Sequence, residues 1–283
     1  MINVLKPGFY TTLQDLGRFG FQKYGVPVSG VMDYYSAKLA NAIMNNDEND
    51  ALLEITMTGP TLQFTCETEI CISGADISPK LNNASIQLNT LVQIQDGDIL
   101  SFGKPIRGVR CYMAVSGGFK TEEKMGSRSM YKGITDTFSV ANGDVLEIVQ
   151  NPKKLGSKKF LIKSEESHFE SREIEVYEGP EFNQLSSYQK KLLFSQSFTV
   201  SKNNNRMAYQ LEETFSNNLK SIITSLVLPG TVQLTPSGKL IILMRDCQTT
   251  GGYPRILQLA ESDINKLSQK FTREVIQFRL LGN

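Results

Sequence analysis

The chain has 283 residues, 40% of them hydrophobic and 21% charged, with a formal net charge of +1. This is the composition of a folded globular protein with room for about two domains. The charge balance speaks against a nucleic-acid binder, which carries a basic excess or stripe. No apolar run approaches the ~20 residues that span a bilayer, and the first residues lack a signal-peptide pattern. No membrane role is therefore expected, and the expected compartment is the cytoplasm.

Residues 1–30 are dense in turn signals: Pro7-Gly8, Gly17, Gly20, Gly25, Pro27 and Gly30. Asp33 is placed to cap a helix over 34–44, with Tyr35, Leu39, Ala42 and Ile43 as its apolar stripe and Asn45-Asn46 as its stop. A glycine loop ahead of a helix N-terminus can bind an anion. However, the chain holds no G-x-x-x-x-G-K-[ST] and no well-placed G-x-G-x-x-G. Strands are expected at 51–55, 62–66, 70–73, 86–94, 98–102, 109–115 and 144–149, with turns at Gly59-Pro60, Asp96-Gly97-Asp98 and Asn142-Gly143-Asp144. Many short strands with one helix suggest a small barrel or sandwich. Gly126-Ser127-Arg128-Ser129 reads either as a solvated loop or as an anion site of N–H groups, hydroxyls and one guanidinium.

Blocks of lysine and then glutamate over 151–172 mark a solvated connection. They divide the chain into an N-terminal domain of 1–150 and a C-terminal domain of 173–283. The second half repeats the strand-rich style. Strands are expected at 174–177, 197–201, 207–211, 231–235, 240–245, 255–260 and 274–280. A helix is expected over 184–194, with Leu185, Tyr188, Leu192 and Leu193 inward, and a short one over 263–269.

One stretch, Arg245-Asp246-Cys247-Gln248-Thr249-Thr250-Gly251-Gly252-Tyr253-Pro254-Arg255, gathers hydroxyls, an amide, a phenol, a carboxylate and two guanidiniums around a glycine pair. Gly-Gly permits positive φ and lets a ligand approach main-chain N–H groups. The plain reading is a hairpin turn between strands 240–245 and 255–260. The single histidine, His168, sits in a charged segment expected to be exposed, which speaks against a Ser-His-Asp triad or a multi-histidine metal site. Cys66, Cys71, Cys111 and Cys247 form no C-x-x-C pair and are expected as buried reduced thiols, Cys247 alone being near a possible site.

Several segments in order resemble the KipA-like family of carboxyltransferase domains, which includes the C subunit of 5-oxoprolinase, allophanate-hydrolase subunit 2 proteins and part of urea carboxylase. In the first half they are Thr11-Thr12-Leu13-Gln14-Asp15-Leu16-Gly17-Arg18, Gly25-Val26-Pro27-Val28-Ser29-Gly30 with Asp33, Leu53-Glu54-Ile55, Gly74-Ala75-Asp76, Tyr112 to Gly118 and Gly126 to Ser129. In the second half they are Arg206-Met207, Pro229-Gly230-Thr231-Val232-Gln233 and Gln248 to Arg255, the last being the most specific. The chain departs from the family pattern at Ala208, Gln210, Ser225 and Leu226, where a glutamate and an arginine of many relatives are lost.

The resemblance implies a mainly β chain with a few helices, built as two cyclophilin-like β-barrel domains. It implies one component of a 5-oxoprolinase that opens 5-oxo-L-proline to L-glutamate with ATP and Mg²⁺ in the assembled complex. The partners implied are a B-like (KipI-like) protein and an A-like protein of the same 5-oxoprolinase. Covalent biotin is not expected, since Lys124-Met125 lacks the A-M-K-M setting. Because a lactam is a poor electrophile, the site needs donors for a developing oxyanion and groups that move protons. Thr249 and Thr250 are the expected catalytic hydroxyls. Gln248, Gly251, Gly252, Tyr253 and Gln233 are expected to position substrate, with Arg128, Arg206 and Arg255 as anion partners. Asp33, Glu54, Asp76 and Asp246 are the expected carboxylates. The rival readings are a carboxyltransferase that moves a carboxyl group from carboxybiotin to urea or a similar amide, and a KipA-type regulator that binds a kinase inhibitor without turnover.

Overall fold

The computed structural model describes residues 1–149 and 166–282. They form two compact units, one from Met1–Arg18 and 29–149, the other from Phe19–Val28 and 166–282. Residues 151–165, most of the expected connection, lie outside the described residues.

The first unit holds strands β1 (Ile2–Lys6), β2 (Tyr10–Gln14), helix α1 (Tyr34–Ile43), β3 (Leu52–Thr56), β4 (Thr61–Phe64), β5 (Thr68–Asp76), β6 (Lys80–Leu81), β7 (Ala84–Ser85), β8 (Leu91–Ile94), β9 (Ile99–Ser101), β10 (Arg107–Val115) and β11 (Val145–Leu146). They make a six-stranded sheet, β11-β1-β4-β9-β6-β7, and a five-stranded sheet, β2-β3-β10-β5-β8. Ile2, Val4, Leu62 and Phe64 of the first share a core with Leu53, Ile55, Ile70, Ile72, Cys111 and Met113 of the second. On the other face of the five-stranded sheet, Tyr112, Ala114 and Cys71 pack against Ala37, Ala40 and Met44 of α1 and its end. Alternate residues of β10 therefore enter two different cores. That is why the strand reads as a continuous apolar run rather than an alternating one.

The helix begins where Asp33 caps it. Its carboxylate accepts from Ser36 N at 3.1 Å and Ser36 Oγ at 2.6 Å. The buried face is not the expected stripe. It consists of Ser36, Ala37, Ala40, Asn41 and Ile43, while Ala42 is exposed. Ser36 is drawn in by the cap, and Asn41 by its amide, which donates to Asp50 O at 2.9 Å. β1 and β2 run through the segment whose glycines and prolines suggested loops.

The second unit holds α2 (Ser167–Glu170), β12 (Glu173–Glu178), α3 (Ser187–Ser195), β13 (Phe198–Asn204), β14 (Ala208–Thr214), β15 (Ser225–Leu226), β16 (Thr231–Leu234), β17 (Lys239–Leu243), β18 (Thr250–Gly251), β19 (Arg255–Leu259), α4 (Glu261–Ser268) and β20 (Val275–Leu280). Seven strands close into a barrel in the order β12-β19-β16-β17-β14-β13-β20. β12 and β20 pair in parallel; the other contacts around the ring are antiparallel. Leu257, Val232, Ile242 and Tyr209 register across four neighbouring strands, and all are fully buried. They fill the barrel, so their neighbours along each strand face outward. α3 starts with a capping box in which Ser186 and Gln189 bond to each other's backbone N–H. Of its expected inner face, Leu185 and Leu193 are buried and Tyr188 is exposed.

The mainly β architecture agrees with the sequence. Two further expectations fail. Strands β17 and β19 are not a hairpin: both pair with β16 and lie on either side of it. His168 is buried, not exposed. Its neighbour Phe169 is also buried, and Lys270 Nζ donates to Phe169 O at 2.6 Å, which holds the short helix inward.

Gly74 tests the first unit. Its φ is +90°, and a Cβ there would lie 2.7 Å from Arg110 O. Gly74→Ala is expected to lower stability by about 2 kcal/mol or more. Urea unfolding should show this as a lower midpoint at unchanged slope.

Candidate functional site

In the second unit the polar stretch after β17 is held at both ends by ion pairs. Arg206 Nε and Nη2 donate to the Asp246 carboxylate at 2.9 and 3.0 Å. Arg255 closes on Glu181 in the same two-toothed way, Nε at 3.0 Å and Nη2 at 2.9 Å, and its backbone N–H adds a third bond at 2.8 Å. Those hydrogen bonds hold the Glu181 carboxyl below the usual carboxylate range and raise the Arg255 guanidinium. Arg245 reaches α4, donating to Glu261 at 2.5 Å and Asn265 at 3.2 Å. Arg206 and Arg255, expected as anion partners, are thus bound to the chain's own carboxylates, and Asp246 is an arginine partner.

Between these staples the chain leaves the barrel wall. β18 pairs with β15, Ser225 opposite Gly251 and Leu226 opposite Thr250. Val227 N donates to Thr249 O at 3.1 Å, and Ile222 N to Gly252 O at 2.9 Å. The result is a short ribbon. Neither glycine adopts the left-handed conformation. Gly251 is required for space instead: a Cβ there would lie 2.4 Å from Gln233 Nε2, and Gln233 is only 2% exposed. Gln248 and Thr249 are half-buried, while Thr250 and Tyr253 are exposed. Among the described residues these four side chains have no hydrogen-bond partner. What the ribbon presents is therefore neutral: hydroxyls, an amide and a phenol.

The first unit holds the other expected residues. Glu54 is buried and accepts from Met32 N at 2.7 Å and Tyr112 Oη at 2.9 Å, with Arg110 Nε 3.8 Å away. Burial and the Glu54 charge push the Tyr112 phenol far above its ordinary range, so it stays a donor. Tyr112 Oη accepts in turn from Asp33 N at 2.8 Å. Asp33 is the cap of α1. Asp76 accepts from Ser78 N at 2.9 Å and closes the turn after β5. Arg128 donates to Thr121 O and lies 3.4 Å from Glu123.

The loop 126–129 does bind an anion, but the anion is Asp15. Its Oδ1 accepts from Gly17 N at 2.9 Å, Ser127 Oγ at 2.7 Å and Ser129 Oγ at 2.6 Å, and its Oδ2 from Arg128 N at 2.6 Å. Arg18, fully buried, donates to Lys124 O and Ser129 O, each at 2.9 Å. Asp15 and Arg18 are not among the expected site residues. Their signal lies in the Asp15-Leu16-Gly17-Arg18 motif, where a buried charge needs partners elsewhere in the chain.

Residues 24–280 match the family described as carboxyltransferase domain, subdomain A and B. The chain belongs to that family. It is 30% identical over 279 residues to the C subunit of 5-oxoprolinase from Escherichia coli (strain K12), a match that covers 95% of this chain and 87% of that protein. It is 44% identical over 129 residues to urea amidolyase of Lachancea kluyveri, covering 45% of this chain and 7% of that one. The crystal structure of the K. lactis urea amidolyase superposes with a TM-score of 0.86 at 29% identity, covering 99% of this chain and 19% of that chain. This domain thus spans about a fifth of that longer chain.

In this carboxyltransferase domain the donors of these polar loops are largely spent within the chain. The donors at 126–129 are taken by Asp15, and Arg206 and Arg255 by carboxylates. Among the described residues no three His, Cys, Asp or Glu side chains gather to hold a metal ion.

Two measurements follow from this geometry. Asp15→Asn turns one acceptor into a donor facing donors, and should destabilise the first unit by about 2–5 kcal/mol, read from urea unfolding. Burial pushes the Cys71 and Cys247 thiols up to about 12 and Cys111 higher still. A raised thiol is protonated at pH 8 and unreactive until the pH nears its own value. Iodoacetamide at pH 8 should therefore label half-buried Cys66 first, with the other three labelled only after unfolding, as read by peptide mass spectrometry.

Proposed function

We propose that the chain is one component of an ATP-dependent 5-oxoprolinase complex of the cytoplasm that opens 5-oxo-L-proline to L-glutamate. The observation that carries this reading is the extent of the match. The C subunit of the E. coli 5-oxoprolinase corresponds to this chain over 87% of its length, whereas the urea amidolyase match takes in 7% of a much longer protein. The partners are a B-like (KipI-like) protein and an A-like protein, and ATP with Mg²⁺ is held in the complex by those other chains.

The part left to this chain is recognition and polarisation of the lactam. Opening the ring adds water across the C–N bond, and negative charge grows on the carbonyl oxygen as the carbon becomes tetrahedral. Neutral donors held in place lower that barrier, each worth roughly 10²–10³ in rate. Gln248, Thr249, Thr250 and Tyr253 supply such donors on one ribbon without the competing charge of Arg206 or Arg255. Asp33, Glu54, Asp76 and Asp246 act through structure, as cap, tether, turn and arginine partner.

A second reading is favoured by the 44% identity to urea amidolyase over 129 residues. In it the domain moves a carboxyl group to urea or a similar amide.

Co-expression with both partner proteins and assay of glutamate release from 5-oxo-L-proline separates the readings. ATP-dependent release by the three-chain complex, and none by this chain alone, is the expected outcome. Thr250→Val should lower that rate at least about tenfold. Transfer to urea in place of lactam opening would select the second reading, and partner binding with no turnover on either substrate would select a regulator.

A further inference from the structure

The outer wall of the barrel carries a small core of its own. Gln233 on β16 registers with Ile241 on β17, on the face opposite the barrel-filling pair Val232 and Ile242. Over that wall lies the ribbon of β15 and β18. Val227, Leu243 and Cys247 are buried together there, with Ala208 and Ile241 packed against them.

Gln233 is out of place in this layer. It is buried, and its Nε2 has no hydrogen-bond partner among the described residues. An unpaired buried amide donor destabilises a fold, and an apolar side chain of the same length would avoid the penalty. Gly251 is equally unexplained by backbone geometry, since it needs no left-handed φ. The two oddities meet at one point: Nε2 occupies the space where a Gly251 Cβ would stand, with Val227 Cγ1 3.3 Å from the same position. The cover above them is short, and Arg255 Nη1 ties it down by donating to Leu226 O at 2.9 Å. Its strands are two residues each, and Ile223 and Leu226 are 93% and 71% exposed. A ligand reaches Nε2 only if the ribbon shifts, since Gln233 is 2% exposed beneath it.

We propose that Gln233 Nε2 is the specificity-determining donor to the carbonyl oxygen of a small neutral amide, of lactam or urea type, bound between the β15–β18 ribbon and the outer wall of the barrel, with Gly251 keeping the approach open. The walls are apolar and the flanking guanidiniums are closed on Glu181 and Asp246, so a charged ligand would enter without a counter-charge. For the lactam class this rests on the 5-oxoprolinase reading; the donor and its opening do not.

The test uses the full chain, alone and assembled with its partner proteins, and 2-pyrrolidinone, urea and acetate as probes in calorimetry or ligand-observed NMR. Wild type is expected to bind 2-pyrrolidinone or urea and not acetate. Gln233→Met should melt at or above the wild-type temperature and bind at least about tenfold more weakly. Gly251→Ala should melt within about 3 °C of wild type, because only the end of a flexible side chain must move, and lose binding to a similar degree. The proposal is overturned if Gln233→Met binds as wild type does, if acetate binds as well as the amides, or if neither amide binds to the chain or to the complex. Full-rate lactam opening by a Gln233→Met complex would remove this assignment and leave the 5-oxoprolinase reading in place. Amide binding that depends on Gln233 in a complex with no activity on 5-oxo-L-proline would do the reverse.

Discussion

The Asp15 carboxylate is the constraint around which the polar part of the first unit is arranged. A buried carboxylate is tolerated only when its lone pairs are filled. Here they are filled from three directions: Gly17 just ahead in the chain, the Ser127 and Ser129 hydroxyls, and the Arg128 N–H. The end of β2 and a loop more than a hundred residues later must therefore sit together. Arg18 fastens the same loop from its other side through two carbonyls. The motif that resembles a ligand-binding glycine loop is the anchor of the fold at this point, and its donors are spent inside it.

The second unit obeys the same rule with different partners. Arg206 and Asp246, Arg255 and Glu181, and Arg245 and Glu261 each close on one another. Partly buried two-toothed pairs of this kind fix direction more than they add stability. Together they set where the chain leaves the wall after β17 and where it rejoins at β19. Between those points the ribbon is free of charge. What this ribbon can offer a ligand is neutral hydrogen bonds, which suit an amide carbonyl better than a phosphate.

How far the sequence can be read depends on the range of the physics involved. The capped helix at Asp33 and the long apolar strand β10 are legible because cap chemistry and apolar runs are local signals. The glycine pair at 251–252 is legible as unusual, but its reason is not: it turns on a glutamine eighteen residues away on another strand. The apolar stripe of α1 misleads because Ser36 and Asn41 are drawn inward by bonds to Asp33 and Asp50. His168 misleads because a neighbouring Phe169 and a distant Lys270 decide its burial. The placement of β16 between β17 and β19 is hidden for the same reason, since barrel order is set by long-range pairing that turn residues do not record. Among the candidate residues the motifs single out polar segments. They do not tell a side chain that serves a ligand from one that serves the chain, because both demands select the same polar residues.

That distinction is made by what each polar atom touches. Asp33, Glu54, Asp15, Arg206 and Arg255 are explained by their partners, and replacing any of them would injure the fold before it informed on activity. Gln233 is the opposite case: the fold around it would be served as well by methionine or leucine. A residue that is inferior for stability and confined by a glycine retained for space marks a place where stability and function pull apart. The ribbon's role therefore does not rest on its own polar groups alone. It rests also on Gln233 and Gly251, which make no structural sense separately and a chemical one together.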